Sequence, residues 1–470
     1  MSMYRISILS FFVAALFAGA VSAEEISVAP SARTGLAVTV YNGDLALVRD
    51  TRQVDLPKGD SELAFADVST RLQPNTALLQ SGSGAFTVKE QVFDFDVVNQ
   101  SGLLQASVGK DVSIISVNPA TGKETEVRAT VLSVANGVVL DIDGRITTEI
   151  PGRLVFDALP PGVRAEPTLV ASIVTEEAVK VDAGLSYLTN GLTWRADYVA
   201  ELSADSKTID LSAWATISNT TGTDFPEATL KLVAGDINRA APQPQMMRAM
   251  EMSARSGAMA DKVEQESLAA FHLYAIDRPV SLADRQTKQL ALLSANQIGV
   301  ETELVSRDEG YATRSPMNGQ VRTSQATRSL VFDNSLEEGV GTPLPSGTVR
   351  VYGQDSTGAL QLLGEDNITH TPIGQEVRFT LGRDFDITIA REQKEFLRAS
   401  DRITISAHAV TVSSAKDTAQ VVRVVESMQG DWEIIEESLS HNKAQGEAEW
   451  LVEVPAGGEV VIEYRVRVRF

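Results

Sequence analysis

Four histidines, His272, His370, His408 and His441, are the natural starting point for acid–base or metal chemistry. The closest two are 33 residues apart, and neither H-E-x-x-H nor H-x-H occurs, so no zinc site or base–nucleophile pair is written into the local sequence. Isolated histidines on strands ordinarily serve structure, and a site would have to be assembled by the fold. Ser83 stands between Gly82 and Gly84 without a G-x-S-x-G elbow, and no phosphate-binding G-x-x-x-x-G-K-[ST] is present. Acidic pairs occur at Asp94/Asp96, Asp141/Asp143, Glu365/Asp366 and Asp384/Asp386. Glycoside hydrolysis needs two carboxylates across a sugar cleft, but turn chemistry accounts equally for acids placed like these. Five methionines, Met246, Met247, Met250, Met252 and Met259, crowd into 14 residues. Thioethers are soft ligands suited to Cu(I), and they also suit an adaptable apolar contact or a plain linker. Trp194, Trp214, Trp432 and Trp450 fall on predicted strands; Trp194 and Trp214 are expected to plug a core, with ligand stacking as the alternative. No catalytic residue, cofactor or metal site is assigned from these patterns.

The 470-residue chain that must position these groups has 41 Lys+Arg against 62 Asp+Glu, a net charge of −21. Phosphate binding requires clustered basic residues, so nucleic acid is not an expected partner. The absence of cysteine excludes disulfides, thiolate nucleophiles and zinc ribbons. At about 150 residues per domain the length suggests about three domains.

The N-terminus reads as an export signal. Arg5 precedes an apolar run over 6–20, and Val21-Ser22-Ala23 supplies small residues before Glu24 and Glu25. Fifteen helical residues reach only about 22 Å, short of the roughly 30 Å a membrane core requires. The expectation is cleavage after 23, a mature chain starting at Glu24, and a periplasmic or secreted location. No later run reaches the length of a membrane-spanning helix.

Beyond the signal the dominant period is two. Alternating runs at 36–41 and 45–54 flank Asn42-Gly43, a type I′ hairpin signal. Residues 96–108 predict the one short helix of the N-terminal half. Across 108–157, five short runs are separated by Pro119–Gly122, Asn136-Gly137, Asp143-Gly144 and Pro151-Gly152, which predicts a small SH3-like barrel. Alternating runs recur from 169 to 234 and from 271 to the C-terminus. Between them, 239–267 has two prolines, one glycine and no alternation, and reads as a mobile linker. The predicted class is all-β: antiparallel β-sandwich domains plus the small barrel, with few short helices. The predicted layout is a signal at 1–23, a β-rich segment at 24–107, the barrel at 108–157 and a sandwich at 166–470. The final alternation of Ile462, Tyr464, Val466, Val468 and Phe470 fits a half-buried sandwich strand; a membrane-barrel strand would also need two girdles of aromatics.

Four segments carry a resemblance: L-S-Y-L-T-N-G-L-T-W-R-A-D-Y (185–198), W-A-T-I-S-N-T-T-G-T-D-F-P-E-A-T-L (214–230), D-R-P-V-S-L-A-D-R-Q-T-K-Q-L (277–290) and L-P-S-G-T-V-R-V-Y (344–352). Over about 166–470 the chain resembles the bacterial "domain of unknown function 4139" family. The likeness implies an exported, β-rich envelope protein without established catalytic residues. Related mucoidy-inhibitor-like proteins place a coiled coil ahead of this domain, but 24–165 shows no heptads. The reading at this stage is an exported, non-enzymatic β-sandwich protein acting through an unidentified protein or envelope partner. The alternatives are an exported hydrolase with a site assembled in three dimensions, and Cu(I) handling by the methionine segment.

Overall fold

A computed structural model describes residues 24–94, 100–135, 137–158, 163–235, 265–268, 271–308, 313–317, 319–337, 339–444 and 446–470. The expected export signal at 1–23, all five clustered methionines and most of the expected linker at 239–267 lie outside these residues; Gln265–Leu268, at the end of that segment, is a strand paired with Phe271–Ala275. The described chain is all-β, with a single short α-helix at Gln100–Ala106.

Period-two sequence becomes period-two burial. In strand Leu45–Leu56, Ala46, Val48, Val54 and Leu56 are buried with Asp50 and Arg52, while Leu47, Arg49, Gln53 and Asp55 are exposed. The hairpin before it is present, but positive φ falls on Gly43 (86°) and Asp44 (57°), one residue later than Asn42-Gly43 suggested. Tyr41 pairs with Leu45, so the loop holds three residues and the left-handed positions shift toward its end.

An eight-stranded sheet includes Arg33–Tyr41, Leu45–Leu56, Val179–Thr189 and Phe225–Ala234. A four-stranded sheet (Glu24–Val28, Gly59–Ala66, Thr168–Thr175, Phe86–Asp94) and a five-stranded sheet (Gln286–Gly299, Thr208–Asn219, Leu192–Leu202, Gly347–Gln354, Leu360–Ile368) share one apolar core with it. Hydrogen bonding ignores the boundary drawn between 24–107 and 166–470: Phe225–Ala234 runs parallel to Arg33–Tyr41, and Thr168–Thr175 lies between Gly59–Ala66 and Phe86–Asp94. Arg52, wholly buried, ties two of these sheets together. Its guanidinium donates to Asp50 (2.6 Å) and to the carbonyls of Val28 (2.7 Å) and Ala66 (2.8 Å), and it lies over the Phe65 ring.

A nine-stranded sheet encloses a second core. It curls until strand Glu447–Val454 meets Ile403–Ser414 and Glu459–Arg469, where the Trp450 and Tyr464 rings come within 5.0 Å. The C-terminal strand Glu459–Arg469 is flanked on both sides and buries Ile462, Tyr464, Val466 and Val468, as half-buried sandwich alternation demands. Two long strands, Val321–Asp333 and Glu376–Ser400, thread both cores: Leu330, Phe332, Val377 and Phe379 belong to the first, Ala326, Ile387 and Ile389 to the second. The changeover is a bulge, where pairing jumps from Gln325↔Thr388 to Thr327↔Arg383.

Residues 111–155 form the expected five short strands: the first four make a meander, the fifth, Arg153–Val155, returns to pair with the first, and the ladder is open rather than a closed barrel. Its edges are Arg145–Thr147 and Arg153–Val155, three residues each, which do not pair with one another. Leu104 of the helix packs on the exposed side of its small core, with Val112, Ile114, Val131 and Leu140. The Asp143-Gly144 turn has φ of 51° and 77°, a pair of left-handed positions. A Cβ at Gly144 would meet no atom within 4 Å, so the cost of a side chain there is backbone strain alone. Gly144→Val is expected to destabilise this sheet by about 1–2 kcal/mol, measured as loss of amide-exchange protection in 111–155. Unchanged protection would contradict it.

Candidate functional site

Strand alternation decides which aromatic residues are free to work. On Leu192–Leu202 the inward side chains include Trp194, Ala196 and Tyr198; on Thr208–Asn219 they are Ile209, Leu211, Ala213, Ala215 and Ile217. Trp194 is a core plug as expected: its indole N–H donates to the Val233 carbonyl at 3.0 Å, and its ring packs against Tyr274. Trp214 is not. Its neighbours Ala213 and Ala215 take the inward positions, so the largest side chain of the strand faces out and is 41% exposed. The core-plug expectation for Trp214 is therefore corrected by the parity of its own strand.

Around Trp214 the outward face carries a chain of hydrogen bonds and ion pairs that crosses all five strands. The Gln289 amide donates to Thr216 Oγ1 (3.1 Å), and the Thr216 hydroxyl donates to Asp197 Oδ2 (2.5 Å). Arg195 Nε reaches Asp197 Oδ2 at 3.2 Å, Arg350 Nη1 lies 3.7 Å from Asp197 Oδ1, and Arg350 Nε pairs with Glu365 at 2.7 Å. Asp197 sits directly opposite Trp214 in the ladder and is only 8% exposed, although it is on the outward face. Ala291 is Trp214's partner on the other side. The result is one exposed aromatic surface bordered by donors and acceptors already held in position.

A second polar assembly lies inside the nine-stranded sheet. Beside its apolar cluster that interior contains Asp308, Arg322, Arg391, His408 and Glu426, with Tyr464 bordering both. Arg391 Nε donates to Glu426 at 2.8 Å and its Nη2 to Ser306 Oγ at 3.0 Å. Arg322 grips Asp308 through both oxygens, at 2.8 and 2.9 Å. His408 stacks on Tyr464, and its Nε2 lies 2.8 Å from Ser406 Oγ. Burial holds the His408 imidazole down to about 4, with Arg322 adding to that and Asp308 opposing it. Burial pushes the Glu426 carboxyl up, with Arg391 pulling against it. The segment 313–317 straps this end: Gln393 donates to the Ser315 carbonyl and accepts from the Met317 N–H, and Thr404 donates to the Thr313 carbonyl. The space between these side chains is about 10 Å³, room for a single water, and His408 and Tyr464 also border an open recess of about 400 Å³ with Lys394, Glu437 and Arg465.

Chemically, Ser406, His408 and Asp308 have the residue types of a hydrolytic triad, and Asp308 and Glu426 are neighbouring carboxylates. None of these stood out in the sequence except His408. The other candidates are dispersed. Burial lowers the His272 imidazole, with the nearby His370 adding to that; His370 engages Ser346, and His441 pairs with Glu437 at 2.8 Å. Ser83 is exposed in a turn and Asp143 is a turn residue; Glu365 is paired with Arg350, Asp366 accepts from the Thr380 N–H, and Asp384 is paired with Lys416. Asp96 lies outside the described residues. Trp432 and Trp450 are buried, each donating to a backbone carbonyl. Among the described residues no three His, Asp or Glu side chains are grouped to hold a metal, and no helix is long and apolar enough to cross a membrane.

No curated protein matches this chain. A family model described as a domain of unknown function, DUF4139, matches residues 183–470, which span the Trp214 face and the whole nine-stranded sheet. That match covers more than half of the 470 residues, and the chain belongs to the DUF4139 family.

Proposed function

We propose that the protein is exported and acts, without catalysis, by binding a component of the cell envelope through the outward face of its five-stranded sheet. The observation that carries this reading is Trp214, an exposed indole that packing does not require, set against a pre-ordered polar network. The residue pattern at 1–23 supports export. Hydrolysis is supported less well, because Ser406 and Asp308 are buried, Asp308 is already paired with Arg322, and the His408 ring, held down to about 4, is a weak base. Copper handling by Met246, Met247, Met250, Met252 and Met259 rests on thioether chemistry alone.

Two measurements test the proposal together. N-terminal sequencing of protein from the periplasmic or secreted fraction should begin at Glu24; intact Met1 on membrane-bound material would overturn export. A photo-crosslinking residue at Ser212, beside Trp214 on the same face, should capture an envelope component in intact cells. The same residue at Ile146, exposed on the small meander, should not. Equal capture from both positions, or none from Ser212, would sink the assignment to this face.

A further inference from the structure

We infer that the Trp214 face is a saccharide-binding platform that takes an uncharged, polyhydroxylated ring flat against the indole. The inference rests on the binding role proposed above and names the chemistry of the ligand. Trp214 stands on a central region of the sheet, with Asp197 and Ala291 opposite it and Ser212 and Thr216 on the same face of its own strand. An apolar partner large enough to cover the indole would also cover the exposed Arg195 and Gln289 on the neighbouring strands, stripping them of water without offering new hydrogen bonds. A sugar ring avoids that penalty. Its C–H face is apolar and its hydroxyls project from the rim, so one ring can lie on the indole while its edge meets the Arg195 guanidinium, the Gln289 amide and the Ser212 hydroxyl around it.

Charge points the same way. Arg195 and Arg350 are balanced by Asp197 and Glu365 within the network, and the exposed Glu201 and Asp210 farther along the same face add only negative charge, so nothing there favours an anionic ligand. The groups are not used up. The Arg195 side chain is 67% exposed while one edge holds Asp197, and that of Glu365 is 50% exposed beside Arg350. Since Gln289, Thr216, Asp197 and Arg350 are fixed to one another in the fold, little ordering of the protein is left for binding to accomplish.

The test uses the full mature chain with three uncharged probes, maltohexaose, cellohexaose and the hexamer of N-acetylglucosamine, titrated by calorimetry. At least one should bind. Trp214→Ala should weaken that binding by about tenfold or more, the effect of losing one aromatic stacking surface, and Trp214→Tyr by no more than about threefold. Because the side chain is exposed, the circular dichroism of both variants should match the parent chain. Binding of none of the three sugars, or equal affinity in Trp214→Ala, overturns the inference. Capture of an envelope protein from Ser212 alongside absent sugar binding would overturn the saccharide while leaving the binding face intact. Loss of both would remove the two readings together.

Discussion

Arg391→Ala is expected to destabilise the nine-stranded core by about 3–5 kcal/mol, because it strands Glu426 as a buried carboxylate without its counter-charge. The side chains of both residues are less than a tenth exposed, and Arg391 is also hydrogen-bonded to Ser306, so at most a single water has room to stand in for the guanidinium. The deficit should depend on pH in a particular direction. Burial already pushes the Glu426 carboxyl up, and removing Arg391 removes the main influence holding it down. In the variant the folded state then takes up a proton that the unfolded state takes up only at lower pH. The loss relative to the parent should therefore be largest at alkaline pH and shrink as the solution is acidified. Replacing the pair together, as Arg391→Met with Glu426→Leu, should recover most of the lost stability, since two apolar side chains need no partners. Urea denaturation at several pH values checks all three statements. An Arg391→Ala deficit below about 1 kcal/mol would show that the pair is solvated and the interior description is wrong.

The second large effect is an acid-sensitive step controlled by His408. Its imidazole is buried against Tyr464 and held down to about 4, whereas in the unfolded chain it titrates near 6.5. Between those values the unfolded chain binds a proton that the folded chain refuses, so stability rises with pH through this window. The contribution is complete above about pH 6.5 and is lost as the pH falls toward 4, and its size is roughly 3 kcal/mol. Asp308, Arg322 and Glu426 face the same space, and His408→Gln leaves them in place while removing the titrating ring. In that variant the slope of stability against pH between 6.5 and 4 should flatten. A slope unchanged from the parent would assign the acid sensitivity to the carboxylates instead.

Trp214 shows how legible the candidate site was. The alternation of Ala213, Ala215 and Ile217 with Trp214, Thr216 and Ser218 was present in the sequence, and following it strictly would have turned Trp214 outward. Residue size argued the other way, toward a core plug, and parity won because a strand cannot rotate one side chain without moving its neighbours. The network beside it was not legible. Gln289, Thr216, Asp197, Arg350 and Glu365 belong to five strands, and only their lateral order makes a chain of them.

What the sequence by itself determined was local: all-β class, most strand positions, the Asp143-Gly144 turn, the five short strands of 111–155 and family membership. Each of these follows from patterns a few residues long, the period of two, the glycines that allow positive φ, and motif strings. What only the tertiary structure decided was pairing at a distance. Nothing in 33–41 or 225–234 announces that these segments run parallel side by side, and nothing in 24–94 shows that its strands enter the sheets of 168–234. The buried assembly of Asp308, Arg322, Arg391, His408 and Glu426 has the same origin, with members drawn from five strands. The physical reason is that alternation tells a side chain which face of its own strand it occupies. Which strand lies opposite is set by the burial of whole sheets against one another, and only that packing turned scattered residues into an exposed platform on one sheet and an enclosed ion-pair network in another.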